Sequence, residues 1–216
     1  MTQRIITGTI LAFLFWVIFF KLPVICFSLI LGCILAVILI VEWPRLLNIK
    51  QAPFWLLMPL YPIMPFVCMI LMNQDKLYHE LLFFLFIIVP IHDTGSYFAG
   101  SWFGKHKIAP TISPGKTWEG FFGGLLITYC NVFLILWYLG HTTNPPFIII
   151  FTFIICALSL CGDLFESWLK RRAHIKDSGT LLPGHGGLLD RFDGIMFGAL
   201  FFFLTKDYLL IAFGIR

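Results

Sequence analysis

The sequence predicts an all-α, polytopic integral membrane protein with about seven transmembrane helices. Of its 216 residues, 59% are apolar and 12% are charged, about half the charged share of a typical soluble domain. The mean hydropathy is +0.92. The apolar residues also fall into runs of membrane-spanning length, separated by short polar breaks. A soluble globule of this size leaves much of its chain in water and could not hide so much apolar surface. An ordinary soluble enzyme, a disordered chain and a disulfide-stapled secreted domain are therefore excluded.

The first run, residues 5–20, follows a single basic residue, Arg4. No small-residue cleavage pattern follows it, and Lys21-Leu22-Pro23 breaks it before a second run begins at 24–41. The pair reads as a tight helical hairpin rather than a signal peptide. The third span, 54–72, carries Pro59, Pro62 and Pro65. Each lacks an N–H, so this span should be kinked or partly irregular. The fourth runs over 77–100 and contains Asp93, the fifth over 118–140, and the sixth over 146–164 with Asp163 at its end. The seventh spans 194–213, interrupted by Lys206 and Asp207.

With the N-terminus inside, 11 of the 15 Lys and Arg residues fall on inner segments, and only Lys21, Lys76, Lys206 and Arg216 lie outside. The positive-inside rule therefore predicts a cytoplasmic N-terminus. The longest polar segments, 101–117 and 165–193, then face the cytoplasm, and chemistry is expected there. We read one membrane domain over 1–216, with N-terminal helices over 1–76 and a catalytic part over 77–216. The six cysteines lie in apolar runs without a CxxC pair. They read as packing residues, with neither disulfide nor zinc. A net charge of +4 is too small to argue for nucleic acid, so the placement of charge matters more than its sum.

That placement is uneven. Residues 163–193 hold ten of the chain's 26 charged residues: Asp163, Glu166, Asp177, Asp190 and Asp193 against Lys170, Arg171, Arg172, Lys176 and Arg191. Acids at a membrane boundary are costly and usually functional. On a helix, Asp163, Glu166 and Lys170 share one face. Asp190 and Asp193 are likewise three apart. Between the two groups lies Pro183-Gly184-His185-Gly186-Gly187, too glycine-rich to continue a helix cheaply. Such a loop lets backbone N–H groups approach an anion, and the helix after it points its positive end the same way. Hard oxygen ligands without a His/Cys cluster suit Mg²⁺. The alternative is a set of salt bridges packing a cytoplasmic loop.

The second polar block covers 92–124. Asp93 sits in an apolar stretch and is followed by Gly95 and Gly100, small enough for close helix approach. Ser113-Pro114-Gly115-Lys116-Thr117 reads as a turn before a helix that Thr117 would cap, with Lys116 placed to reach a phosphate. It is not a P-loop, because position 110, where that motif needs glycine, is Pro.

Taken together, the run from Ser167 through Lys170, Arg171, Lys176, Asp177, Pro183, His185, Gly186, Gly187, Asp190 and Arg191 to Asp193 resembles the signature of the phosphatidate cytidylyltransferase (CDP-diacylglycerol synthase) family. The upstream run from Asp93 to Gly124 resembles that family's second block. Ser96, Ser101 and His92 depart from the types expected there, and the N-terminal part is short, but the charged residues of the signature are kept.

The resemblance implies that CTP and phosphatidic acid give CDP-diacylglycerol and pyrophosphate, with Mg²⁺ alone or beside a second cation. It places the site on the cytoplasmic face of the inner membrane. Asp163 and Asp190 are its first choice as metal ligands, with Glu166 and Asp193 in the same shell or the next. Lys170, Arg171, Lys176 and Arg191 would neutralise phosphates, and Asp177 would orient a neighbouring base or read the nucleotide. Lys116, Asp93 and Ser113 would complete the site from the other block. His185, Gly186 and Gly187 would contact substrate, with a turn-stabilising hydrogen bond as the other role for His185. The reading involves the bilayer and no nucleic acid, and is compatible with a homodimer. Its rivals are a CTP-using transferase or kinase acting on an ether lipid or polyprenol, and a transporter whose charges would line a path at the bilayer midplane.

Overall fold

The computed structural model describes residues 2–140, 144–181 and 186–215. It contains seven helical segments: α1 (Thr2–Lys21), α2 (Val24–Leu46), α3 (Ala52–Asn73), α4 (Lys76–Phe103), α5 (Trp118–Tyr138), α6 (Pro145–Arg172) and α7 (Leu189–Phe213). A small antiparallel hairpin, β1 (Lys107–Ala109) and β2 (Ser113–Thr117), lies between α4 and α5. Six of the helices, α2 to α7, are each long and apolar enough to cross a membrane, and α1 adds the shorter apolar stretch Gly8–Lys21. The protein is an all-α polytopic membrane protein, in which α4 packs against α3, α5, α6 and α7. Large side chains such as Trp43, Phe66, Phe151 and Phe202 fill the interior, while many large apolar side chains, Leu204 and Ile211 among them, stand exposed. That surface suits lipid and would not suit water.

Proline placement sets the local winding. Pro62 sits within a π-wound stretch, Pro59–Ile63, in the middle of α3, where missing N–H donors break the regular ladder. Ile38–Glu42 in α2 is also π-wound, just before Pro44 opens the final turn Trp43–Leu46. The helix therefore continues past 41 and carries Glu42 inward, where it is buried.

Two helix limits differ from the hydropathy reading and matter for the site. Helix α6 continues to Arg172, so Asp163 lies well inside it rather than at its end. Helix α7 starts at Leu189, so Asp190 and Asp193 belong to its opening turns. In both cases charged residues stay helical because they are paired inside the protein, a compensation that hydropathy does not register. The interruption expected at Lys206 and Asp207 is also absorbed. Asp207 accepts a 2.5 Å bond from the Tyr78 hydroxyl, and the Lys206 ammonium lies 4.5 Å from the centre of the Tyr78 ring.

Glycines permit close helix contacts. A Cβ added to Gly95 of α4 would lie 3.2 Å from the Gly124 Cα of α5. One added to Gly162 of α6 would collide with the Asp193 carbonyl oxygen and sit 3.3 Å from the Gly194 Cα of α7. The Gly162 contact fixes how α6 faces α7. Gly162→Ala is expected to lower stability by about 1–3 kcal/mol, whereas Gly32→Ala, with nothing within 4 Å of the added carbon, should not. Thermal unfolding of both variants in detergent checks this, and equal midpoints would contradict it.

Candidate active site

The two polar blocks meet. Asp93 from α4, Ser113 and Lys116 from β2, Asp163 and Lys170 from α6, Asp177 from the following loop, and Asp190, Arg191 and Asp193 from α7 line one cavity of about 400 Å³. The hairpin is held at its rim by short-range bonds. Thr117 caps α5 by accepting from the Gly120 N–H at 3.1 Å. The Glu119 carboxylate accepts from the backbone N–H groups of Lys105 and His106, each at 3.1 Å. Arg171, exposed at the end of α6, donates from Nε to the Ile112 carbonyl in the hairpin turn at 3.1 Å. Arg171 thus braces the hairpin. Neither Arg171 nor Lys176 is among the described residues lining the cavity.

Lys116 forms an ion pair with Asp163, joining the hairpin to α6. Burial acts against the charge of the Lys116 ammonium, but the Asp163 and Asp93 carboxylates outweigh it, and its pKa is raised above 10.5. Lys116 is therefore a cation throughout the neutral range.

Asp190 has a different task. One oxygen accepts from the Lys170 ammonium at 2.7 Å, and the other accepts from Ser178 N (3.0 Å), Ser178 Oγ (2.9 Å) and Gly187 N (2.7 Å). Four bonds use about all the lone-pair directions a carboxylate offers. Asp190 therefore ties Ser178 and Gly187 to α7. Gly186 adopts φ +82°, the left-handed region, and a Cβ there would lie 2.7 Å from the same Asp190 oxygen. His185 lies outside the described residues.

Behind the cavity, Lys170 reaches Glu166 at 3.4 Å, so one buried ammonium faces two carboxylates. Glu166 is fully buried, and among the described residues Lys170 is the cation that pairs with it. Asp193 accepts from the Gly194 N–H at 2.8 Å and interacts electrostatically with Asp163 and Glu166. Among the described residues lining the cavity, five carboxylates stand against three bases. No group of three or more His, Cys, Asp or Glu among the described residues is drawn to metal-ligand spacing. The oxygen-only donors and the excess negative charge nevertheless suit a hard divalent cation, which typically takes one or two carboxylates and completes its shell with water and phosphate. Asp163 of α6 and Asp193 of α7 are close enough to interact electrostatically, although Asp163 also pairs with Lys116 and accepts from the Ser167 hydroxyl at 3.3 Å.

A second, mostly apolar cavity of about 980 Å³ runs between α1, α4, α5 and α7, lined by Phe15, Phe86, Pro90, Phe98 and Ile127. It shares Asp93, Asp190, Arg191 and Asp193 with the polar cavity. Sequence reasoning missed Glu42 and Ser178, both buried partners of the loop. The only signal for Glu42 was a lone acid at the end of a long apolar run.

A model of the cytidylyltransferase family matches residues 45–209. The chain is similar to the phosphatidate cytidylyltransferase of Haemophilus influenzae, with 38% identity over 186 residues, covering 78% of this chain and 63% of that protein. It is similar to the phosphatidate cytidylyltransferase of Staphylococcus haemolyticus, with 40% identity over 150 residues, covering 69% and 57%. The enzyme of that name from Staphylococcus aureus strain COL is 46% identical over 114 residues, covering 53% and 44%. The chain thus spans less than two thirds of the length of these curated relatives.

Replacing Lys170 with Met would leave Glu166 and Asp190 buried without their shared cation. A loss of about 3–5 kcal/mol is expected, read as a lower unfolding midpoint in detergent. An unchanged midpoint would show that the pair of carboxylates does not depend on Lys170.

Proposed function

The chain belongs to the cytidylyltransferase family, and we propose that it transfers CMP from CTP to phosphatidic acid, giving CDP-diacylglycerol and pyrophosphate at the cytoplasmic face of the inner membrane. The observation that carries this reading is the meeting of a polar, charged cavity with an apolar one at Asp93, Asp190, Arg191 and Asp193. One reactant is a water-soluble polyanion and the other a lipid, and a catalyst must bring both to one place. The names of the relatives support the choice of substrates, and the distribution of Lys and Arg supports the choice of face.

The chemistry follows from the charges. A phosphate oxygen of phosphatidic acid attacks the α-phosphorus of CTP. The bond from that phosphorus to the bridging oxygen of the β-phosphate breaks, and pyrophosphate leaves with the electron pair. A phosphate monoester has its second pKa near about 6, so the nucleophile is already ionised and needs no general base. The obstacle is repulsion between two anions in a cavity with excess carboxylates. Asp163 and Asp193, with Glu166 behind them, would hold Mg²⁺, which when bound supplies the positive charge that lets the phosphates approach. Lys116 adds a permanent cation from the hairpin side. Arg191, exposed where the two cavities join, is placed to pair bidentately with the lipid phosphate. Ser113 and Gly115, at the cavity wall, are placed to hydrogen-bond the nucleotide phosphates.

The test is an assay of the purified chain in mixed micelles with CTP and phosphatidic acid. Pyrophosphate and a nucleotide-linked lipid are expected, with activity lost on chelation of Mg²⁺. Lys116→Ala should lower turnover by about 10²–10³-fold. Release of CDP instead, with a polyprenol or other lipid as acceptor, would replace this reading with that of a kinase.

A further inference from the structure

We propose that Glu42 is a positioning residue that holds Ser178, Gly179 and Gly187 and the start of α7 in register with the site. What they are held for rests on the cytidylyltransferase reading above. That they are held rests on geometry alone.

Glu42 lies in the π-wound stretch of α2 and is 0% exposed. A buried carboxylate is costly unless its oxygens are satisfied. Among the described residues, no Lys, Arg or His forms an ion pair with it. Its partners are donors from the far end of the chain. Oε1 accepts from Leu188 N at 2.8 Å, and Oε2 accepts from Leu189 N at 2.7 Å and from Ser178 Oγ at 3.3 Å.

Leu188 and Leu189 are the N-cap and first residue of α7, whose N–H groups have no partner within the helix. No side chain of Leu188 caps that end. Glu42 therefore acts as an external cap, placing negative charge where the helix dipole favours it. The π-winding before Pro44 gives it this reach, since an extra residue in the turn changes the direction in which the side chain leaves the helix.

The contact leaves no slack. A Cβ added to Gly179 or to Gly187 would lie 2.6 Å from Glu42 Oε1. The loop is shaped around the carboxylate. Ser178 then hands the constraint on, because its hydroxyl lies 3.3 Å from Glu42 and 2.9 Å from Asp190. Glu42, Ser178, Asp190 and Lys170 form one buried chain of contacts. It passes through Asp190 on α7, the helix that carries Arg191 and Asp193 into the cavity, to Lys170 on α6. Glu42 does not line the cavity itself, so its effect on turnover passes through the residues it holds.

Glu42→Gln tests this with almost no change of volume. One oxygen becomes an NH₂ group, which cannot accept from a backbone N–H and faces a donor instead. Hydrogen exchange of peptides covering 176–192 is measured beside the Mg²⁺ dependence of turnover, with circular dichroism and gel filtration reporting the fold. Exchange in that segment should speed at least about 10-fold while other segments hold. The Mg²⁺ concentration for half-maximal turnover should rise about 10-fold, with KM for phosphatidic acid little changed. Glu42→Asp, which keeps the carboxylate but shortens it, should fall between Gln and wild type. Unchanged exchange over 176–192 in a folded Glu42→Gln protein overturns the proposal. So does faster exchange with an unaltered Mg²⁺ profile. If the wild-type chain turns over no CTP, the functional reading fails, and the exchange measurement alone still decides whether Glu42 holds the loop.

Discussion

The contact between Gly162 of α6 and the Asp193–Gly194 backbone of α7 governs the site. Two helices that touch at backbone distance cannot rotate freely against one another. The acids and bases one or two turns away on each helix must therefore confront each other. Asp163, Glu166 and Lys170 on one side meet Asp190 and Asp193 on the other, and the charges are too close and too dry to remain independent. Everything else in the active region answers to that confrontation. Lys170 sits between two carboxylates, Lys116 is drawn to Asp163 from the hairpin, and the loop donates N–H groups to Asp190.

The charge distribution also suggests why such a site belongs at a membrane surface. On the proposed reading, the polar cavity would take the phosphates and the apolar cavity the acyl chains. Their shared wall is short and consists of charged residues from α4 and α7. With the proposed substrates, a lipid phosphate and a nucleotide would reach that wall from different solvents, and only the final approach would require desolvation. In water-poor surroundings each charge–charge interaction is stronger, which raises the benefit of a well-placed cation and the cost of a missing one.

Much of this was legible in the amino-acid order. Hydropathy marks the helices because lipid demands uninterrupted apolar runs. The i, i+3, i+7 spacing of Asp163, Glu166 and Lys170 put them on one face, and the two polar blocks were expected to converge, as they do in one cavity. The helix limits were less legible, since α6 and α7 extend through charged residues that hydropathy reads as ends. The division of labour among the acids was hidden for a related reason. Asp163 and Asp190 look alike in sequence, but only three-dimensional pairing shows that Asp190 is occupied by Ser178, Gly187 and Lys170 while Asp163 pairs with Lys116. Glu42 was least visible, because its partners lie more than 130 positions away and no local pattern records them.

The central claim is that carboxylates from α6 and α7 grip a single divalent cation. Mn²⁺, used in place of Mg²⁺, reports its own binding by electron paramagnetic resonance in the purified protein. The account predicts one tight Mn²⁺ per chain, weakened about 10–100-fold by Asp163→Asn or by Asp193→Asn, with the double variant weakened less than the product of the two. Mn²⁺ affinity unchanged in both single variants, in proteins that remain folded, would contradict it.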